Sequence, residues 1–166
     1  AGHDGEVSLK RDLLSAIDVM MGQVIRSLWE AECASRGKQK FAVCCTGDHS
    51  TPAAYVMDHS HEPVPFCIAY VSDIVDVIGE DALAEIPKGP VQLPYNVTSE
   101  AHHQWVERFT RKVHDRNASI TNNPTRGDSV TQFSEVAAAE GALGRFPGSE
   151  VMPLIRAFMQ HPVAPM

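Results

Sequence analysis

Several things this chain lacks narrow its reading. It has no surplus of basic residues: 14 Lys and Arg stand against 21 Asp and Glu, a formal net charge of −7. With no basic stripe to offset that balance, nucleic acid is excluded as the expected partner. No apolar run approaches the ~20 residues that a membrane span requires, so no membrane partner is expected. The N-terminus lacks the basic-then-apolar order of a signal peptide, which points to a cytoplasmic protein. It also lacks an initiator Met, beginning Ala1-Gly2-His3-Asp4-Gly5, as a processed or shortened chain does. Four cysteines form no C-x-x-C pair: Cys44 and Cys45 are adjacent, and Cys33 and Cys67 stand apart. That pattern makes neither a zinc knuckle nor a disulfide framework, and buried, reduced thiols are expected instead. No repeat or low-complexity segment interrupts the text.

What is present is the composition of a folded domain. The 166 residues are 43% hydrophobic and 21% charged, enough for one domain, residues 1–166, with its own core. Ser8 reads as a helix N-cap. Beyond it Leu9, Leu13, Ile17, Met20, Val24 and Leu28 recur at three- and four-residue spacing, which predicts one apolar helical face. Gly37, after Ser35 and Arg36, suits a left-handed helix stop. Phe41–Cys45 and Pro65–Val71 are short apolar runs that predict buried, parallel strands. The text changes from Ser72 to Asp128, with prolines between Ile86 and Pro94, a polar helical pattern over His102–Arg116, and an Asn-, Thr- and Pro-rich stretch from Asn117 to Gly127. It reads as an insertion into the core sheet. Two helical patches, Val136–Gly141 and Val151–Met159, flank the loop Gly144–Gly148. Helix and strands together predict an α/β fold.

In an α/β sheet ligands gather beyond the carboxyl ends of the strands. Asp48 and His49 stand at that place after the first strand, and Asp58-His59-Ser60-His61 precedes the second. Imidazole and carboxylate together suit Zn²⁺, Mn²⁺ or Fe²⁺. At a strand-to-loop bend both residues of an Asp-His pair can turn toward one ion, although the same residues also serve as turn and cap. His61, His102, His103, His114 and His161 read as surface histidines, Trp29 as packing, and Arg145 as either a phosphate contact or a loop arginine paired with a carboxylate.

Four blocks carry a resemblance. They are Gly2-His3-Asp4-Gly5; Thr46-Gly47-Asp48-His49-Ser50-Thr51-Pro52; Asp58-His59-Ser60-His61-Glu62-Pro63-Val64-Pro65; and Val130–Glu135 with Gly141-Ala142-Leu143-Gly144-Arg145 and Gly148. In this order they resemble the archaeal-type, 2,3-bisphosphoglycerate-independent phosphoglycerate mutases of the alkaline phosphatase superfamily, over residues 1–71 and about 128–160. The resemblance implies the C-terminal part of an alkaline-phosphatase-like sheet with flanking helices. It also implies two divalent ions, commonly manganese, with zinc, cobalt and magnesium as alternatives. The implied metal ligands are His3 and His59 for one ion and Asp48 and His49 for the other, with Arg145 as a candidate contact to a substrate phosphate.

The implied reaction interconverts 3-phosphoglycerate and 2-phosphoglycerate through a phosphoserine, on a small phosphorylated acid substrate. The nucleophilic serine and its neighbouring aspartate have no counterpart in this sequence, nor does the aspartate that leads the G-H-D-G segment. Ser50 and Ser60 lie inside the metal motifs and are not substitutes. The chain alone is therefore expected to be catalytically silent, and a sheet short of strands is expected to self-associate. A phosphatase or phosphodiesterase on the same scaffold, or a non-catalytic module using 72–128 for a protein partner, are the alternatives.

Overall fold

The computed structural model describes residues 7–52, 59–91, 130 and 132–160. Helix α1 spans Val7–Ala34. It buries a different face from the one the apolar periodicity predicts. Ala16 and Val19 are buried, and Ile25, Leu28 and Trp29 pack against the core, whereas Ile17, Met20 and Val24 are 50%, 47% and 48% exposed. The helix is apolar on more than one side, and it turns inward the stripe with the small residues. A Cβ placed on Gly22 would meet Ile86 Cδ1 at 3.1 Å, so the missing side chain is what lets α1 approach so closely. The helix stops as expected, with Arg36 and Gly37 both left-handed at φ 54° and 78°.

Strands β1 (Ala42–Thr46) and β2 (Phe66–Tyr70) pair antiparallel, from Ala42 opposite Tyr70 to Thr46 opposite Phe66. This corrects the expectation of parallel strands. The reason lies in the connection: its described arms pair again at an isolated antiparallel bridge between Ser50 and Ser60, so the chain returns alongside itself. Among the described residues these two strands are the whole sheet. Helices α2 (Val71–Ile78) and α3 (Glu80–Glu85) follow directly, separated by Gly79 at φ 82°.

One face of the ribbon carries Phe41 and Val43 against the main core of Val71, Val75, Leu83 and Ile86, which Ile25, Leu28, Trp29 and Ile78 complete. Val71 is fully buried, a contribution of about 1.5–3 kcal/mol relative to exposure. Trp29 is thus a packing residue, as expected. Side chains of α1 also hold the end of α3. Arg26 Nη1 donates to Ile86 O at 2.6 Å, and Gln23 Nε2 donates to Pro87 O and Gly89 O at 2.7 and 2.8 Å. The tract read as an insertion, 72–128, therefore begins with two helices that build the core; residues 92–129, including His102, His103, His114 and the polar helical pattern, lie outside the described residues.

The other face of the ribbon receives the C-terminal segment. Helix α4 (Glu135–Ala138) is capped by Ser134 Oγ, which accepts from Ala137 N at 3.2 Å. A single 3₁₀ turn, Gly148–Glu150, leads into α5 (Val151–Gln160). Tyr70 stacks on Phe158, ring centroids 4.7 Å apart, and its hydroxyl donates to Phe158 O at 2.9 Å. Phe146 packs edge-on against Phe66 at 5.2 Å. All four cysteines are free thiols, but they are not buried as expected: Cys33 and Cys67 are exposed, and Cys44 and Cys45 are half-buried. Cys33 faces out from the last turns of α1, and Cys67 lies near the end of the ribbon that leads into the connection between the strands.

Candidate metal centre

The ribbon is pinned at the end where β1 runs into the polar cluster. Thr46 Oγ1 donates to Pro65 O at 3.0 Å, tying the end of β1 to the start of β2. Gly47 follows, where a Cβ would crowd Val64 Cγ1 at 3.2 Å. Beyond Gly47 the two arms are joined by Ser60 N donating to Ser50 O at 3.1 Å and Ser50 Oγ donating to Glu62 O at 3.1 Å. This bridge brings together motifs from either side of the connection.

Asp48 and His49 form a compact pair. The His49 backbone N–H donates to Asp48 Oδ1 at 3.0 Å, and His49 Nε2 lies 3.2 Å from Asp48 Oδ2. The other ring nitrogen, Nδ1, is 3.2 Å from Thr51 Oγ1. His59 arrives from the second arm and stacks on His49, with ring centroids 3.7 Å apart and planes inclined by 27°. Three of the four expected ligands, Asp48, His49 and His59, are therefore neighbours. His3 and Asp58 lie outside the described residues. Lys10 Nζ donates to Thr51 O at 2.6 Å, which sets the first turns of α1 against the same loop.

The donor set fits a divalent ion of the borderline type. Asp48 Oδ2 and His49 Nε2 lie 3.2 Å apart, and both can face a cation if the imidazole carries its hydrogen on Nδ1, toward the Thr51 hydroxyl. The Asp48 side chain is 86% exposed, so the position is open to solvent. Among the described residues no three His, Cys, Asp or Glu side chains converge on one point, so the described part supplies an incomplete cage. Arg145 is exposed, beside Gly144 at φ 64°. Its neighbour Phe146 docks on Phe66, which is opposite Thr46, so its loop sits at the same end of the ribbon as Asp48. Thr51 and Lys10 are site residues that sequence reasoning missed. Thr51 was visible only as a letter of the T-G-D-H-S-T-P block, and nothing in the sequence signals the reach of Lys10.

Comparison with known proteins bears on this geometry. The model of the metalloenzyme superfamily matches residues 1–91, which include both histidine motifs. The chain belongs to the metalloenzyme superfamily. It is similar to the 2,3-bisphosphoglycerate-independent phosphoglycerate mutases of Thermoplasma volcanium, 40% identical over 65 residues (39% of this chain, 13% of the relative), of Pyrococcus horikoshii, 38% over 69 residues (42% and 15%), and of Methanococcus maripaludis strain C5, 35% over 68 residues (41% and 14%). The matched stretch thus spans only 13–15% of the length of these curated relatives. No solved structure matches the chain.

Proposed function

We propose that this chain is part of a metal-dependent phosphoglycerate mutase of the archaeal type, and that it contributes one portion of a dinuclear metal centre. The observation that carries the reading is that Asp48 pairs with His49 and His59 stacks on His49 at one end of the ribbon, inside the segment that matches the metalloenzyme superfamily. In this reading Asp48 and His49 serve one ion, and His59 with His3 serves the other. The larger alkaline-phosphatase-like sheet, Mn²⁺ as the native metal and a cytoplasmic, glycolytic role belong to the same proposal.

Phosphoryl transfer needs an attacking and a leaving oxygen held in line, with the charge on both stabilised, and a pair of bound divalent ions supplies that stabilisation together with a lowered hydroxyl pKa. This chain's own residues hold and orient. Asp48 fixes the His49 ring through Nε2, and Thr51 engages Nδ1. The exposed Arg145 is the candidate to meet a substrate phosphate. Neither serine of the motifs is free to attack: Ser50 Oγ is engaged with Glu62 O and Ser60 Oγ is buried. That supports a nucleophile from elsewhere and a chain that is silent by itself.

The test is calorimetric titration of the chain with Mn²⁺ and Zn²⁺, repeated on His49→Ala and His59→Ala. Saturable binding that both substitutions weaken is the expected result. Binding that neither substitution changes would overturn the ligand assignment. For the reaction, a full-length protein containing this segment should form 2-phosphoglycerate from 3-phosphoglycerate; release of inorganic phosphate without isomer formation would assign the site to a hydrolase instead.

A further inference from the structure

Cys45 and Cys67 are register partners across the ribbon. Phe41 and Val71 occupy the same register, and Val71 N donates to Phe41 O at 2.9 Å, so theirs is a hydrogen-bonded pair. Pair types alternate along an antiparallel ladder, which makes Cys45 and Cys67 a hydrogen-bonded pair as well. In such pairs the Cα atoms are about 5.5 Å apart and both side chains leave the same face, within the roughly 4.4–6.8 Å span of disulfides. Both thiols are free, Cys67 exposed and Cys45 half-buried. Cys44 is opposite Ile68 and therefore projects from the other face.

We propose that Cys45 and Cys67 form a reversible cross-strand disulfide, made by exchange with a small-molecule disulfide such as oxidised glutathione. The exposed Cys67 thiolate attacks one sulfur of the small disulfide and expels one thiolate, leaving a mixed disulfide on Cys67. The Cys45 thiolate then attacks the Cys67 sulfur and expels the second small thiol. Two protein thiols are oxidised, one small disulfide is reduced to two thiols, and the two protons lost by the protein end on those products. Cβ atoms opposite each other in a ladder are about 4.5–5.5 Å apart, wider than the roughly 3.8 Å of a relaxed disulfide, so this bond forms under strain and is readily reduced. It would enclose the connection that carries Asp48, His49 and His59, and so tie both arms of the site covalently to the ribbon.

The experiment incubates the full chain, with chelator present, in oxidised and reduced glutathione at mildly alkaline pH, then maps peptides without reduction by mass spectrometry. We expect a cross-link within one chain between the peptides holding Cys45 and Cys67, reversed by dithiothreitol. It should persist in Cys44→Ser. Cys45→Ser should instead leave Cys67 carrying a stable glutathione adduct. Loss of the cross-link in Cys44→Ser would overturn the proposal. So would a wild-type chain whose Cys67 remains glutathionylated without closing, or one that links only to a second chain; the wild-type map stands whether or not the variants fold. None of these readouts depends on metal binding.

Discussion

His49 and His59 lie face to face, their ring centroids 3.7 Å apart, although each comes from a different arm of the connection between β1 and β2. Stacking alone would make His59 a packing residue, whereas metal ligation would make it a donor, and one substitution separates the two. His59→Phe keeps a flat ring against His49 and removes the nitrogens. We expect divalent metal affinity to fall at least about tenfold with little change in melting temperature, since outer partners of metal ligands already cost about 10–100-fold when removed. Unchanged affinity in His59→Phe would reduce His59 to a stacking partner.

Thr51 offers a test of orientation. Its hydroxyl is 3.2 Å from His49 Nδ1 and holds the ring in the sense that leaves Nε2 beside Asp48. Thr51→Val keeps the shape and removes that contact, so metal affinity should drop by about 10–100-fold. Thr51→Ser should restore most of it. Titration of both variants against Mn²⁺ checks the pair, and equal losses in the two would show that the hydroxyl is not the cause.

Gly22 sets two effects of similar size against each other. Alanine in a helix interior gains about 1 kcal/mol over glycine, while overpacking a filled core costs about 1–3 kcal/mol. A Cβ on Gly22 would be 3.1 Å from Ile86 Cδ1 but 3.6 Å from Cγ1 and Cγ2, so the crowding comes from one methyl group. Gly22→Ala should therefore be neutral or destabilising in the wild-type chain. In an Ile86→Val background, which removes Cδ1, the same substitution should stabilise. A double-mutant cycle from denaturant melts measures the coupling, and additivity within about 0.5 kcal/mol would show that the clash is relieved elsewhere.

The parts of this structure that were legible in the sequence are those governed by local chemistry. The stop at Gly37, the two short apolar strands, a helical patch beginning near Val136 and the helix after Gly148 all follow from turn residues and apolar spacing. Strand direction did not follow, because nothing local to Phe41–Cys45 or Pro65–Val71 reports that Ser50 and Ser60 will bridge. The buried face of α1 was misjudged for a related reason. Periodicity weights large apolar residues such as Ile17 and Met20, but close packing selected the stripe of Ala16 and Gly22. At the candidate site the Asp-His motifs were readable as candidate ligands. The groups that aim them, Thr51 and Lys10, came from the fold.

Thiol chemistry gives a pH dependence with a definite sign. Cys67 is accessible, yet partial enclosure by the ribbon and the proximity of Cys45 disfavour its thiolate, so its pKa is raised above the ordinary thiol range. Desolvation and Cys45 raise Cys44 as well. The folded chain thus keeps these protons to higher pH than the unfolded chain does. The resulting stability is fully present below the thiol pKa of the unfolded chain, about 8.5, and is lost as pH rises through the folded values. Under reducing conditions the melting temperature of the wild type should decline on the alkaline side, and Cys67→Ser should decline less. Parallel curves for the two proteins would remove Cys67 as a contributor.

The outward stripe of α1 carries the last prediction. Leu14, Ile17, Met20 and Val24 are 57%, 50%, 47% and 48% exposed and fall on one side of the helix. A contiguous apolar face of this kind is costly to leave in water and is suited to association. We expect the chain to be dimeric or larger by light scattering at micromolar concentration. Substituting Ile17 and Val24 together by Lys should shift it toward monomer, because charge placed in the middle of the stripe cannot be buried without a partner. Lysine is a good helix former, so α1 itself should persist and far-ultraviolet circular dichroism should be unchanged. A monodisperse monomer from the unsubstituted chain would show that this face is tolerated in water or is covered from within the same chain.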